Sequence, residues 1–129
     1  MDTISQFITV IRNAGLAKHE KVDVPASKVR AGIAQILANE GYIRSFKIAK
    51  DSKQGIMRIY LKYDDAGESV ISSIDRVSRP GRRVYVQNDK VPSVRSGLGM
   101  SILSTSQGIM DSKQAKEKKL GGELLCTLW

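Results

Sequence analysis

The sequence predicts an α+β fold of two small lobes, and three observations carry that reading. Apolar residues recur at helical spacing near the start of the chain, and alternating runs rich in Val, Ile and Tyr follow them. An acidic, glycine-containing break, Asp64-Asp65-Ala66-Gly67-Glu68, then separates this part from a second half made mostly of strands with one short helix. The break divides an N-terminal α+β lobe, 1–64, from a C-terminal α+β lobe, 65–129, and the 41% hydrophobic content gives the pair enough core while leaving each lobe marginal alone.

Asp2 or Thr3 is placed to cap a first helix with Gln6 in reach, Ile4, Phe7, Ile8 and Ile11 form its apolar stripe, and Gly15 stops it. Val22 and Val24 alternate with Lys21 and Asp23 as a short strand that Pro25 interrupts. Ser27 then caps a second helix, with Val29, Ile33, Ile36 and Leu37 inward and Gly41 at its end. Residues 42–49 and 56–63 read as a β-hairpin around the five-residue loop Asp51-Ser52-Lys53-Gln54-Gly55, so the first lobe runs helix, strand, helix, strand, strand.

The second lobe opens with a strand over 70–77. The basic turn Ser78-Arg79-Pro80-Gly81-Arg82-Arg83 comes next, followed by a strand over Val84-Tyr85-Val86. Beyond Pro92 the pattern is irregular: Ile102 and Leu103 suggest a short strand, residues 112–119 a short basic helix, and residues 124–129 a closing strand after Gly121-Gly122.

Lys and Arg total 21 against 13 Asp and Glu, a formal charge of +8, so the long-range field attracts polyanions. RNA, DNA and acidic membranes all satisfy that requirement. The first residues lack a basic segment followed by an apolar one, and no run approaches the length of a membrane span, which points to a cytosolic, soluble protein. Cys126 and His19 are the only residues of their types, which argues against a disulfide, a multi-cysteine zinc site or other metal chemistry. His19, beside Glu20 in a polar connection, has no nucleophile arranged around it and reads as a surface residue, whereas Cys126 among Leu124, Leu125 and Leu128 reads as a buried packing residue.

Arg79, Arg82 and Arg83 form a turn suited to gripping phosphates through forked hydrogen bonds. Lys28, Arg30, Arg44, Lys47, Lys50 and Lys53 spread charge over the first lobe, and Arg12 and Asn13 stand near the end of its first helix. The most informative stretch, 96–110, holds no charge yet carries Gly97, Gly99 and Gly108 with the hydroxyls of Ser96, Ser101, Ser104, Thr105 and Ser106. A glycine-punctuated hydroxyl loop lets backbone approach a ligand and bond to sugars, base edges or phosphate; an ordinary serine-rich turn between strands has the same composition. Gly97-Leu98-Gly99 lacks the third glycine of a dinucleotide loop. Tyr85 is open between base stacking and packing, while Trp129 is assigned to packing. A small enzyme acting on a phosphorylated substrate is a competing reading of the same stretch.

The run Gly99-Met100-Ser101-Ile102-Leu103-Ser104-Thr105-Ser106-Gln107-Gly108-Ile109-Met110, followed by Ala115-Lys116, resembles the signature of the eighth small-subunit ribosomal protein family. The resemblance continues in Ile11-Arg12-Asn13-Ala14, Glu40-Gly41-Tyr42-Ile43, the segment from Arg76 to Tyr85, and Gly121-Gly122-Glu123 before Cys126, so it spans nearly the whole chain. Thr3 stands where the family often has Pro, and Thr127 where an aromatic is frequent.

The resemblance implies two α+β lobes in close contact and a non-enzymatic, cofactor-free role in the cytoplasmic ribosome. The implied partners are the central domain of small-subunit (16S) ribosomal RNA, neighbouring small-subunit proteins, and messenger RNA that mimics the ribosomal site. It also implies that Ser104, Thr105 and Ser106 contact the RNA, with Gly108 and Gly121-Gly122-Glu123 shaping the adjoining surface. Together with Arg79, Arg82, Arg83, Tyr85, Arg12, Asn13, Lys28 and Arg30, these make up the expected RNA-binding set.

Overall fold

Phe7, Ile8, Ile11 and Ala14 fall on one side of a 3.6-residue repeat and are all buried, so the first segment closes as helix α1 (Thr3–Leu16). The computed structural model describes residues 3–50, 53–91 and 93–129, and the cap proposed at Asp2 lies outside them. Gly15 does not stop the helix. It sits buried in the last turn, where a Cβ would stand 3.2 Å from Ser69 Oγ, and the stop comes instead at Lys18, whose φ of 59° lets the His19 amide return to the Ala14 carbonyl at 3.0 Å.

Ser27 caps α2 (Lys28–Asn39) as its sequence requires, accepting the Arg30 amide at 3.1 Å. The buried stripe is Arg30, Ile33, Ala34 and Leu37, with Ile36 beside it, so Val29 is displaced to the exposed side. The correction has a polar cause: the Arg30 guanidinium folds under the helix and donates to the Pro25 carbonyl at 2.9 Å. Gly41, at φ 79°, ends the helix while the Tyr42 amide bonds the Leu37 carbonyl.

Pro25 closes β1 (Lys21–Pro25) rather than standing outside it, as an edge strand permits. Strands β2 (Ile43–Ala49) and β3 (Ile56–Leu61) form the expected hairpin, although Asp51 and Ser52 of its loop lie outside the described residues. The three strands order as β1-β3-β2, with Met57, Ile59 and Leu61 of the central strand buried.

The strand expected over 70–77 contracts to β4 (Ile74–Arg76). The amides before it serve other acceptors: Val70 donates to Lys62, and Ser72 and Ser73 both donate to the Trp129 carbonyl. Next come β5 (Tyr85–Val86), a short 3-10 turn at Arg95–Gly97, β6 (Met100–Thr105), β7 (Gly108–Asp111), α3 (Ser112–Glu117) and β8 (Gly122–Leu128). The second sheet runs β4-β8-β6-β7, with β5 also on β8, so the last strand is central to the sheet. Much of the presumed loop 96–110 is therefore a β-hairpin. Ile102, Leu103 and Met110 are buried, and a backbone that carries buried residues must pair its polar groups.

One hydrophobic cluster joins α1, α2 and the first sheet to Ile74, Met100, Ile102, Leu125, Cys126 and Leu128 of the second. A smaller one, Leu103, Met110, Ala115 and Leu124, lies under α3. A register shift between Ile102 and Leu103 opposite Leu124 to Cys126 gives β8 an extra residue, Leu125, and so lets the strand feed both clusters. Polar and close backbone contacts also cross between the lobes: the Arg12 guanidinium donates to the Ile74 carbonyl, and Gly32 of α2 packs on the Ile109 side chain, where a Cβ would stand 3.0 Å away. Among the described residues no helix is long and apolar enough to cross a membrane.

Candidate nucleic-acid interface

Ladder pairing places Tyr85, Glu123, Ser104 and Ile109 in one row across β5, β8, β6 and β7. Residues directly opposite on neighbouring strands project from the same face, so the row is one continuous surface. Tyr85 at its outer end is 69% exposed and belongs to neither core, while Ile109 at the other end meets α2. Lys28, one turn before Gly32 on α2, is exposed.

At the tip of the β6–β7 hairpin, Thr105 pairs with Gly108 across a two-residue turn, Ser106-Gln107. Gly108 has a φ of 109°, which a residue with a Cβ adopts only under strain. The Thr105 hydroxyl is committed to this turn, donating to the Gly108 carbonyl at 2.9 Å and accepting the Gln107 amide at 3.1 Å. The hydroxyls of Ser104 and Ser106 engage no protein group among the described residues, and Ser106 is exposed. The Ser-Thr-Ser run thus divides into one hydroxyl that shapes the turn and two that are presented on it.

The basic turn lies on the opposite side of β8. Arg79 and Arg82 close it by reciprocal backbone bonds of 3.1 and 2.9 Å around Pro80-Gly81, leaving both side chains exposed. Arg83 donates to the Glu123 carboxylate at 2.9 Å, and the buried Ser78 hydroxyl donates to the same carboxylate at 2.5 Å while accepting the Val84 amide at 3.1 Å. Burial pushes the Glu123 carboxyl upward, but the Ser78 and Arg83 hydrogen bonds and the charges of Arg83 and Arg76 outweigh it and hold the group below the ordinary carboxylate range.

Ser104, Thr105, Ser106, Gly108, Gly122, Glu123, Tyr85 and Arg83 therefore come together, and Arg79 and Arg82 border them. Arg12 and Asn13 stand apart on α1. Arg12, paired with Asp75 at 3.6 Å, shares with Thr9 and Arg79 a groove of about 550 Å³ between that helix and the basic turn. Arg30, 5% exposed, lies beneath the surface. Sequence reasoning missed Ser78, because a serine at the entrance of a basic turn reads as solvated, and it missed the stacking of Arg95 on the Trp129 ring at 3.7 Å. His19 is exposed and Cys126 fully buried, with burial raising the thiol pKa to about 12. Among the described residues no group of three or more His, Cys, Asp or Glu could hold a metal ion.

Fold and surface together define a small, strongly cationic α+β protein whose distinguishing groups share one sheet row, exposed at Tyr85 and at the hairpin tip. The sequence profile of the family described as Ribosomal protein S8 matches residues 2–129. The small ribosomal subunit protein uS8 of Bdellovibrio bacteriovorus is 80% identical over 129 residues, all of both chains. That of Geotalea uraniireducens is 52% identical over 128 residues, 99% of this chain and 97% of its own, and that of Thermodesulfovibrio yellowstonii is 54% identical over 99% and 98%. The chain belongs to this ribosomal protein family: it is a structural, non-enzymatic constituent of the small subunit and works in the cytoplasmic ribosome in association with ribosomal RNA.

Proposed function

We propose that the Tyr85–Glu123–Ser104 face binds the central domain of 16S ribosomal RNA directly and helps assemble the platform of the small subunit. The observation that carries this reading is the uncharged hairpin tip, which presents Ser104 and Ser106 between cationic borders. Exposed Arg79 and Arg82 hold phosphates, and the short hydroxyls, with Gly108 and Gly122 beside them, approach riboses and base edges that a longer side chain would keep at a distance. Affinity and specificity are divided between residue classes.

Lys28, Arg12 and Asn13 extend the footprint onto the N-terminal lobe, 1–64, while the principal contacts belong to 65–129. Neighbouring small-subunit proteins meet the remaining surface. Messenger RNA that copies the ribosomal site would occupy the same face, giving the protein a second role as a translational repressor.

A salt-titrated binding assay tests the reading, with a central-domain fragment of small-subunit ribosomal RNA set against an unrelated duplex of equal length. Preference for the fragment at physiological salt is the expected result. Equal, steeply salt-sensitive binding to both would reduce the protein to a non-specific polycation.

A further inference from the structure

An acidic side chain in the middle of a surface offered to a polyanion is a cost unless it does something else, and the surroundings of Glu123 say what it does. Its side chain is 17% exposed, and both of its recorded hydrogen-bond donors come from the flanks of the basic turn: Ser78 precedes the turn and Arg83 follows it. Ser78 ties the flanks a second time by accepting the Val84 amide. The turn between them is closed by the two Arg79–Arg82 backbone bonds and carries the Arg79 and Arg82 guanidinium groups in solvent. Glu123 also stands opposite Ser104 in the β6–β8 ladder. One carboxylate therefore fixes the basic turn relative to the hydroxyl tip.

Resting on the RNA-binding reading above, we infer that Glu123 is a positioning residue: it makes no contact with RNA and sets the distance between the phosphate-gripping turn and the hydroxyl tip through Ser78 and Arg83. Its negative charge lowers the attraction for any polyanion, and in exchange only an RNA whose phosphates and irregular helix match that spacing satisfies both groups at once. Selectivity, more than affinity, is the quantity this residue controls.

Ser78→Ala separates positioning from contact, because Ser78 is 0% exposed and cannot touch RNA. With the full-length protein and the two probes of the salt-titrated assay, Ser78→Ala and Glu123→Gln should each lower the preference for the central-domain fragment by about fivefold to tenfold, the scale of one or two lost hydrogen bonds. Glu123→Gln should at the same time bind the unrelated duplex slightly more tightly, having lost a negative charge. Thermal melts establish that each variant is folded.

Should Ser78→Ala not fold, Glu123→Gln is combined with Arg83→Gln. Non-additive losses on the fragment support positioning through Arg83, and additive losses overturn it. Loss of preference in Glu123→Gln with wild-type behaviour in a folded Ser78→Ala would make Glu123 a direct RNA ligand and overturn the inference, as would unchanged preference in both. Absence of preference in the wild-type protein is a different result, which removes the RNA-binding reading itself.

Discussion

Gly122 lies directly beneath the carbonyl of Ser104: a Cβ at this position would collide with that oxygen and stand 3.2 Å from Thr105 Cα. The obstacle is backbone on a paired strand, which has little room to move. Gly122→Ala is expected to cost about 1–3 kcal/mol, as other overpacking substitutions do, and to lower the thermal midpoint while disturbing the hairpin tip. Calorimetry of the variant checks this, and a midpoint equal to that of the wild type would contradict it.

Thr105 gives a test of shape without contact. Thr105→Ala removes the bonds to the Gly108 carbonyl and the Gln107 amide, whereas Thr105→Ser keeps the hydroxyl. The alanine variant combined with Ser104→Ala should weaken binding to the central-domain fragment by about 1–3 kcal/mol with the fold intact. Thr105→Ser alone should bind like wild type, and a serine variant as weak as the alanine one would show that the turn does not depend on the hydroxyl.

Arg82 is exposed and its side chain meets no partner among the described residues, so its contribution to RNA binding should be electrostatic and independent of sequence. Arg82→Ala is expected to weaken binding to the fragment and to an unrelated duplex alike, and to reduce the salt slope by about one phosphate contact. An unaltered slope would exclude a phosphate contact there.

Cys126 supplies a pH prediction. Burial raises its pKa from 9.0 to about 12, so the folded state holds the thiol more strongly than the unfolded chain does. A group whose folded pKa is raised stabilises fully below its unfolded pKa, and the stabilisation fades as pH climbs from about 9 toward 12. Native protein should resist alkylation by iodoacetamide at pH 8, with modification appearing only as the chain unfolds. Rapid native labelling would contradict the burial.

Elements with strong local patterns were legible in the sequence. The spacing of Phe7, Ile8 and Ile11 announces α1, and Ser27 announces the start of α2. What stayed hidden depends on partners far away in the chain. Arg30 takes an inward position from Val29 because of a carbonyl on β1, and residues 70–73 abandon their strand because their amides serve Lys62, the Ser69 hydroxyl and Trp129. Within the interface, Ser104, Thr105 and Ser106 stood out by residue type. That Thr105 is occupied by its own turn, and that Glu123 reaches back to Ser78, are consequences of strand pairing that no local spacing reveals.

The central place of β8 in its sheet has a temporal meaning. Its partners β4, β5 and β6 all precede it in the chain, so during synthesis they emerge without the strand that joins them. At about 5–20 residues per second, the stretch from Thr105 to Leu128 takes on the order of one to a few seconds to make, and through that interval Ile102 and Leu103 lack their partners Cys126 and Leu124 on β8. Gly122 and Glu123 arrive with the same strand. The nascent chain thus has no finished face to offer an RNA, and recognition must wait until residues 122–128 have been translated and paired.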